Sequence, residues 1–369
     1  GPAVRPGRHA PALKPASHAC NVDFHRYHRQ LILPQVGAEG QQKLARSRVL
    51  LVGCGALGSV IAEQLVRAGV GRLRLVDRDL VELTNLQRQV LFDEQDAAEQ
   101  APKAIAAARR LARINSQVAI EPIVADVNPD NVERLAGLAG NEPPVDVILD
   151  GTDNVETRYL LNDVSVKHGI PWIYGAAVGT EGRCVSVLPG KTACLRCLFR
   201  EPPAPAELPT CDTAGVLASA AAIVASIQVT HALAVLLGRE PPVELIAFDI
   251  WAGRFRTIST AQGRDPTCAT CAQRRFEFLE NRAIARSASL CGRNAVQVRP
   301  AHDAALDLAA LAQRLSAVGE TQRTPYLLRC ILREPRDVRL TVFGDGRAIV
   351  HGVSEPERAR AIYARFIGN

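Results

Sequence analysis

The chain has 369 residues, 47% of them apolar and 22% charged, with a net charge of +6. That is apolar material enough for one large domain and a smaller one, and it excludes wholesale disorder. The charge is too mild to suggest a nucleic-acid partner, which calls for a dense basic stripe.

The first two residues, Gly1-Pro2, read as a tag-cleavage scar, and residues 1–19, rich in Pro, Arg and Ala, as a disordered tail. No hydrophobic signal segment follows, so the expected location is cytoplasmic. No uninterrupted apolar run reaches the roughly 18 residues of a membrane span. The nearest, residues 214–237, is broken by Ser219, Ser226, Gln228, Thr230 and His231 and reads as a buried helix; no membrane partner is expected.

Residues 20–275 read as one α/β domain. A compact apolar strand at 48–53, a glycine turn, a helix at 58–68 and a strand at 73–77 form a βαβ unit, which implies a parallel sheet. A helix at 102–115, a strand at 119–124 and a buried strand at 145–150 follow, then the loop Gly151-Thr152-Asp153-Asn154 and a helix at 157–168. Next come extended residues 171–176, a hairpin-like stretch at 183–188, a proline-rich loop at 201–209 and a long helix at 213–237. Strands at 245–249 and 255–259 complete the domain. Residues 276–288 read as a linker, and 289–369 as a small α+β module: a helix at 306–318, strands at 326–332, 338–343 and 348–351, and a final helix at 356–366.

Gly53-Cys54-Gly55-Ala56-Leu57-Gly58 is a G-x-G-x-x-G turn between strand and helix. Such glycines let the backbone approach phosphate, and the helix N-terminus offers free N–H groups. Asp77 ends the second strand, where an acid bonds ribose hydroxyls. On these residues alone an NAD-dependent oxidoreductase fits equally well.

More residues follow in order: Val76-Asp77-Arg78-Asp79, Thr84-Asn85-Leu86-Gln87-Arg88-Gln89, Ala101-Pro102-Lys103 and Thr152-Asp153-Asn154 with Arg158, preceded by Arg26-Tyr27-His28-Arg29-Gln30. In this the sequence resembles the ThiF/MoeB/HesA adenylyltransferases, relatives of the ubiquitin-activating enzymes, over residues 27–271. The resemblance implies a Rossmann-like adenylation fold with a mixed sheet, and adenylation by ATP of the C-terminal Gly-Gly carboxylate of a ubiquitin-like sulfur carrier protein. Attack at the α-phosphate needs several cations, a metal ligand and a polar cradle. The resemblance gives Arg88 and Lys103 to the phosphates, Asp153 to Mg²⁺ and Asp77 to ribose. Asp79, Asn85 and Asn154 complete the ATP-binding set with Gly53, Gly55, Ala56 and Gly58, although Asn154 also suits a helix cap. The family usually has glycine where Ala56 stands. It also implies a homodimer, in which Arg29 reaches the neighbouring subunit's ATP site. Three alternatives remain: a tRNA-modifying dehydratase of the same superfamily, an NAD-dependent oxidoreductase, and a non-catalytic binder of a ubiquitin-like protein.

Cys194-x-x-Cys197 and Cys268-x-x-Cys271 have the spacing of a four-thiolate structural zinc site. Cys211 lies in Cys-Asp-Thr-Ala-Gly-Val, after the proline-rich loop and before the long helix, where a helix N-terminus favours thiolate. The resemblance makes it the nucleophile that bonds to the activated carrier through an acyl disulfide. Cys54 and Cys184 read as packing residues, and Cys20 falls in the tail. Neither Cys291 nor Cys330 fits the C-x-x-G-x-x-S loop of a rhodanese domain, so sulfur is expected from a separate cysteine desulfurase or sulfurtransferase. The C-terminal module shows no catalytic constellation; carrier docking or dimerisation is its expected role.

Overall fold

The structure is a computed structural model that describes residues 24–140, 142–203, 211–280, 287–290, 294–298 and 306–368; the side chains of 211–212 and 287–290 stand outside that description. The expected tail with Cys20, part of the proline-rich loop, part of the linker, and Cys291 also lie outside it.

The chain opens with α1 (His28–Leu31), α2 (Gly37–Leu44), β1 (Arg48–Val52), α3 (Ala56–Ala68) and β2 (Arg72–Asp77). A 3-10 turn at Leu83–Asn85 leads to α4 (Glu94–Glu99), α5 (Lys103–Ile114), β3 (Ala119–Val124), α6 (Val132–Leu135) and β4 (Val147–Asp150). Then come α7 (Val155–His168), β5 (Trp172–Val178), β6 (Glu181–Val187), α8 (Leu195–Leu198) and α9 (Cys211–Ala214). The helix α10 (Ala218–Leu236), β7 (Glu244–Asp249), β8 (Arg254–Ser259) and α11 (Glu277–Glu280) follow. The remainder is β9 (Ser287–Leu290), β10 (Ala295–Val298), α12 (Leu308–Leu315), β11 (Gly319–Arg323), β12 (Leu327–Leu332), β13 (Arg339–Phe343), β14 (Ala348–His351) and α13 (Pro356–Phe366).

Eight strands form one sheet in the order β3-β2-β1-β4-β5-β6-β7-β8. Pairing is parallel from β3 to β5 and antiparallel from β5 to β8, so the sheet is mixed as expected. Its centre is buried on both faces because β1 and β4 are continuous apolar runs. Alternation sends Val49 and Leu51 to the core shared with α3, α5 and α10, and Leu50 and Val52 to the core shared with α7. The strand order reverses between β1 and β4, which opens a crevice beyond their C-terminal ends.

By length and hydropathy alone α10 would pass as a membrane span, despite its polar interruptions. Its packing decides otherwise: Ala221, Val224 and Ala225 join the core over α3, and Gln228 is fully buried beneath the sheet. It also begins later than the sequence suggests. Gly215 takes a positive φ of 72° and Val216 bridges to Gly179, so the chain between α9 and α10 is tied to the sheet rather than wound into helix.

The second sheet runs β11-β12-β13-β14-β10-β9, antiparallel throughout, with α12 and α13 on one core. Within the stretch read as linker, α11 packs on α7, where Asp163 accepts the Phe278 N–H at 2.9 Å.

Candidate active site

Three glycines build the floor of the crevice. Gly53 follows β1 with φ 88°, Gly58 lies in the first turn of α3, and Gly151 follows β4. A Cβ on Gly58 would stand 1.9 Å from the Gly53 carbonyl oxygen, and one on Gly151 would stand 2.5 Å from the same atom. Two strand ends and a helix N-terminus therefore meet backbone to backbone. Gly55 caps α3 without a side-chain bond, and Ala56 is the first residue of that helix, so the extra methyl is accommodated as helix. Gly58→Ala has only backbone to displace and should cost about 3 kcal/mol, the upper end of overpacking effects. A denaturant melt against wild type measures this.

Acids and one lysine surround this floor. Both oxygens of Asp77 are engaged by backbone: Oδ2 accepts the Cys54 N–H at 2.6 Å and Oδ1 the Asp79 N–H at 2.7 Å. Burial raises the Asp77 carboxyl, against the opposing pull of Lys103. Lys103 begins α5, is 7% exposed, and its Nζ lies 3.2 Å from Asp79 Oδ2. Burial alone would lower the ammonium; Asp79 and Asp77, with Asp153 beyond them, outweigh it and raise it. Burial would likewise raise Asp79, but Lys103 and Arg78 hold it below the ordinary carboxylate range. Asp77, Asp79, Asp153 and Lys103 thus form one electrostatic cluster.

The loop bearing Asp153 is held from beneath. Asp150 is fully buried, and its Oδ1 accepts from the Thr152 N–H at 2.9 Å and hydroxyl at 2.7 Å. Arg158 places Nε 3.4 Å from Asp150 Oδ2, donates through Nη2 to the Thr152 carbonyl at 2.6 Å and lies over the Tyr174 ring. Gln228 of α10 donates to the Asp150 carbonyl at 2.8 Å. Asp153 itself is exposed.

The other expected residues are placed less directly. Asn154 is the N-cap of α7, its Oδ1 accepting from the Thr157 N–H at 2.9 Å. Asn85 is buried, and its Oδ1 accepts the Glu82 N–H at 3.1 Å, which locks the 3-10 turn. Arg88, half-buried, donates to the Thr84 carbonyl. Gln89, given no role in the sequence reading, is 3% exposed; its Nε2 lies 3.9 Å from where a Gly55 Cβ would stand, and its Oε1 has no hydrogen-bond partner among the described residues. An orphaned buried acceptor beside the glycine turn suits a ligand. Gly151, Asp150 and Gln228 were also missed; only the glycine directly after a buried strand gave a signal. Arg29 is exposed on α1, and α1 is tied by Gln30 and Tyr27 to the C-terminal end of α3. That end is about 20 Å from the glycine turn, so Arg29 does not join the cluster of its own chain.

Four cysteines converge. Cys194, Cys197, Cys268 and Cys271 have sulfurs all within 4.8 Å of one another. Neighbouring pairs are separated by 3.8, 3.6 and 3.4 Å. Zn–S bonds of about 2.3 Å imply a tetrahedral S···S edge of about 3.8 Å, so these residues fit zinc with no ligand position left open. Zinc bound there would pin the chain beyond β8 onto α8. Metal analysis should find one zinc per chain, and Cys268→Ser should lose it and lower the melting temperature; unchanged zinc content would contradict the assignment. Cys54, Cys184 and Cys330 are buried packing residues.

Cys211 opens the four-residue α9, not the long helix, which removes the helix-terminus argument for its thiolate; its side chain lies outside the described residues. Four residues on, Gly215 accepts the Gly179 N–H at 2.9 Å, and Leu217 donates to the Gly179 carbonyl at 2.8 Å. This anchors the Cys211 segment just beyond the C-terminal end of β5, on the crevice side of the sheet.

The sequence matches the ThiF family over residues 27–270. The sulfur carrier protein ThiS adenylyltransferase of Bacillus subtilis (strain 168) is 42% identical over 344 residues, 93% of this chain and 99% of that protein. The sulfur carrier protein adenylyltransferase of Thermus thermophilus is 40% identical over 256 residues, 68% of this chain and 91% of that protein. Among solved structures, E. coli MccB with ATP superposes with a TM-score of 0.58 at 23% identity, covering 68% of this chain and 75% of that one, a likeness of fold. With the family matched over more than half of its length, and with relatives of this similarity, the chain belongs to the ThiF family.

Proposed function

We propose that this chain adenylates the C-terminal Gly-Gly carboxylate of a ubiquitin-like sulfur carrier protein. A carboxylate oxygen attacks the α-phosphorus of ATP, the bond to the β-phosphate bridging oxygen breaks, and pyrophosphate leaves with that electron pair. The observation that carries the reading is buried Lys103 among Asp79, Asp77 and Asp153 at the mouth of the glycine floor. Three carboxylates around one ammonium leave an excess of negative charge that suits a divalent cation, whereas hydride transfer needs no such set. The named activities of the two bacterial relatives support it, and they favour none of the alternatives weighed from the residues.

The N–H groups of the first turn of α3 would face the phosphates, those of Gly53 and Cys54 being already bonded to the Val76 carbonyl and Asp77. Lys103 and Arg88 supply positive charge there. Each Asp77 oxygen, already accepting one N–H, keeps a lone pair for a ribose hydroxyl. Bound Mg²⁺ would neutralise phosphate charge, held by Asp153 with Asp79 beside it. Asn154 and Asn85 act by fixing the loops that carry these groups. Cys211, four residues before the Gly215 anchor, is our candidate thiol: it would attack the carrier acyl-adenylate, form a thioester and release AMP, with sulfur then supplied by a separate donor protein. Trp251, in the turn after β7, is 80% exposed, and Phe255 and Ile258 of the edge strand β8 are also exposed; this apolar edge suits a protein substrate.

Carrier-dependent exchange of labelled pyrophosphate into ATP tests the reaction. Lys103→Ala and Asp153→Ala should each lower exchange by about 10²-fold or more; unaltered exchange in both would sink the reading. The homodimer with Arg29 acting in trans has its own test. Arg29→Ala and Lys103→Ala, each inactive alone, should regain about a quarter of wild-type activity when subunits are exchanged at equal amounts, since each mixed dimer holds one intact site. A mixture that stays inactive after exchange would show that Arg29 serves its own chain's site.

A further inference from the structure

The C-terminal module touches the cluster from behind. The turn between β13 and β14 is held rigid: Asp345 Oδ1 accepts the Arg347 N–H at 3.1 Å, and the Tyr363 hydroxyl of α13 donates to the Gly346 carbonyl at 2.7 Å. From this turn Arg347 leaves its own module. Its side chain is 3% exposed and lies over the Phe343 ring at 3.8 Å. Nη2 donates to the backbone carbonyl of Arg78 at 2.9 Å, and Nη1 to Gln297 Oε1 at 3.3 Å. Gln297, buried on β10, donates in turn to Asp126 Oδ2 at 2.8 Å. Asp126 receives Arg78 Nη1 at 3.2 and 3.3 Å, and Arg78 Nε lies 3.7 Å from Asp79 Oδ1.

Two residues of the second sheet therefore grip residue 78 of the first, by its carbonyl directly and by its guanidinium through Asp126. Residue 78 stands between the two acids whose placement the adenylation reading requires. Burial pulls the Arg347 guanidinium down to about 10, which leaves it charged at neutral pH beside Asp345, Asp79 and Asp77. A buried charge that spends one of its two guanidinium hydrogen bonds across a domain boundary, and the other on a glutamine that reaches across the same boundary, is costly to keep for packing alone.

We infer that Arg347 and Gln297 are positioning residues for nucleotide, by which the C-terminal module fixes the Asp77-Arg78-Asp79 loop. The inference rests on the adenylation reading and assigns the module a part in the ATP site, distinct from carrier docking.

The test is steady-state carrier-dependent pyrophosphate exchange with the full chain, a Gly-Gly-ending carrier, and ATP or carrier varied in turn. Wild type must exchange; if it does not, the adenylation reading itself falls. Given wild-type exchange, Arg347→Met should raise KM for ATP about tenfold, the scale expected when a partner behind the binding groups is removed, and leave KM for carrier within about twofold. Arg347→Lys, which keeps the charge and can still reach one carbonyl, should recover part of the loss. Gln297→Leu, which leaves Arg347 in place, should shift the same parameter in the same direction. An ATP KM unchanged in folded Arg347→Met or Gln297→Leu overturns the inference. So does a parallel rise of both KM values, which would mark general damage rather than loss of nucleotide positioning.

Discussion

The close approach of Gly53, Gly58 and Gly151 is the constraint on which the rest depends. A side chain at Gly58 would push the start of α3 off the Gly53 carbonyl, and one at Gly151 would drive the β4 loop away from both. With the backbones in contact, the glycine turn after β1 and the Asp153 loop after β4, about a hundred residues apart in sequence, form one surface. The supports below are correspondingly stiff. Asp150, Arg158 and Gln228 satisfy the Thr152 and Asp150 backbone from inside the sheet, so that Asp153 can stand exposed on a loop that is not free to move.

Charge follows from that geometry. Lys103 is buried because α5 starts where the chain crosses beneath the Asp77–Asp79 turn, with its N–H bonded to the Asp79 carbonyl at 2.9 Å. An ammonium there is tolerable only among carboxylates, and the carboxylates are tolerable only beside cations. The same requirement draws in Arg78 and, from the second sheet, Arg347. The C-terminal module is thus part of the electrostatic balance of the crevice and not a separate appendage.

Much of this was legible in the sequence because it was written locally. The run Arg-Val-Leu-Leu-Val before a glycine turn, and Val-Ile-Leu-Asp before another, announce buried parallel strands, and the spacing of four cysteines announces their common centre. What escaped depends on elements meeting in space. Gly151 is an ordinary loop glycine until the Gly53 carbonyl comes to lie against it. Arg347 follows a hairpin turn and reads as a solvated charge; only the Arg78 carbonyl makes it otherwise. The strand β11, Gly-Glu-Thr-Gln-Arg, has no apolar alternation and forms because β12 offers it an edge. The start of α10 was misread because a helical composition extends through residues 213–217, where bonds to Gly179 win over continued helix.

The central claim is that this crevice cleaves ATP between the α- and β-phosphates and leaves the adenylyl group on a protein carboxylate. Following label from ATP into a Gly-Gly-ending carrier tests it most directly. The account predicts that α-phosphate label travels with the carrier while γ-phosphate label leaves in pyrophosphate. Carrier labelled from the γ-phosphate, or α-label that never leaves nucleotide in the presence of every carrier of this type, would contradict it.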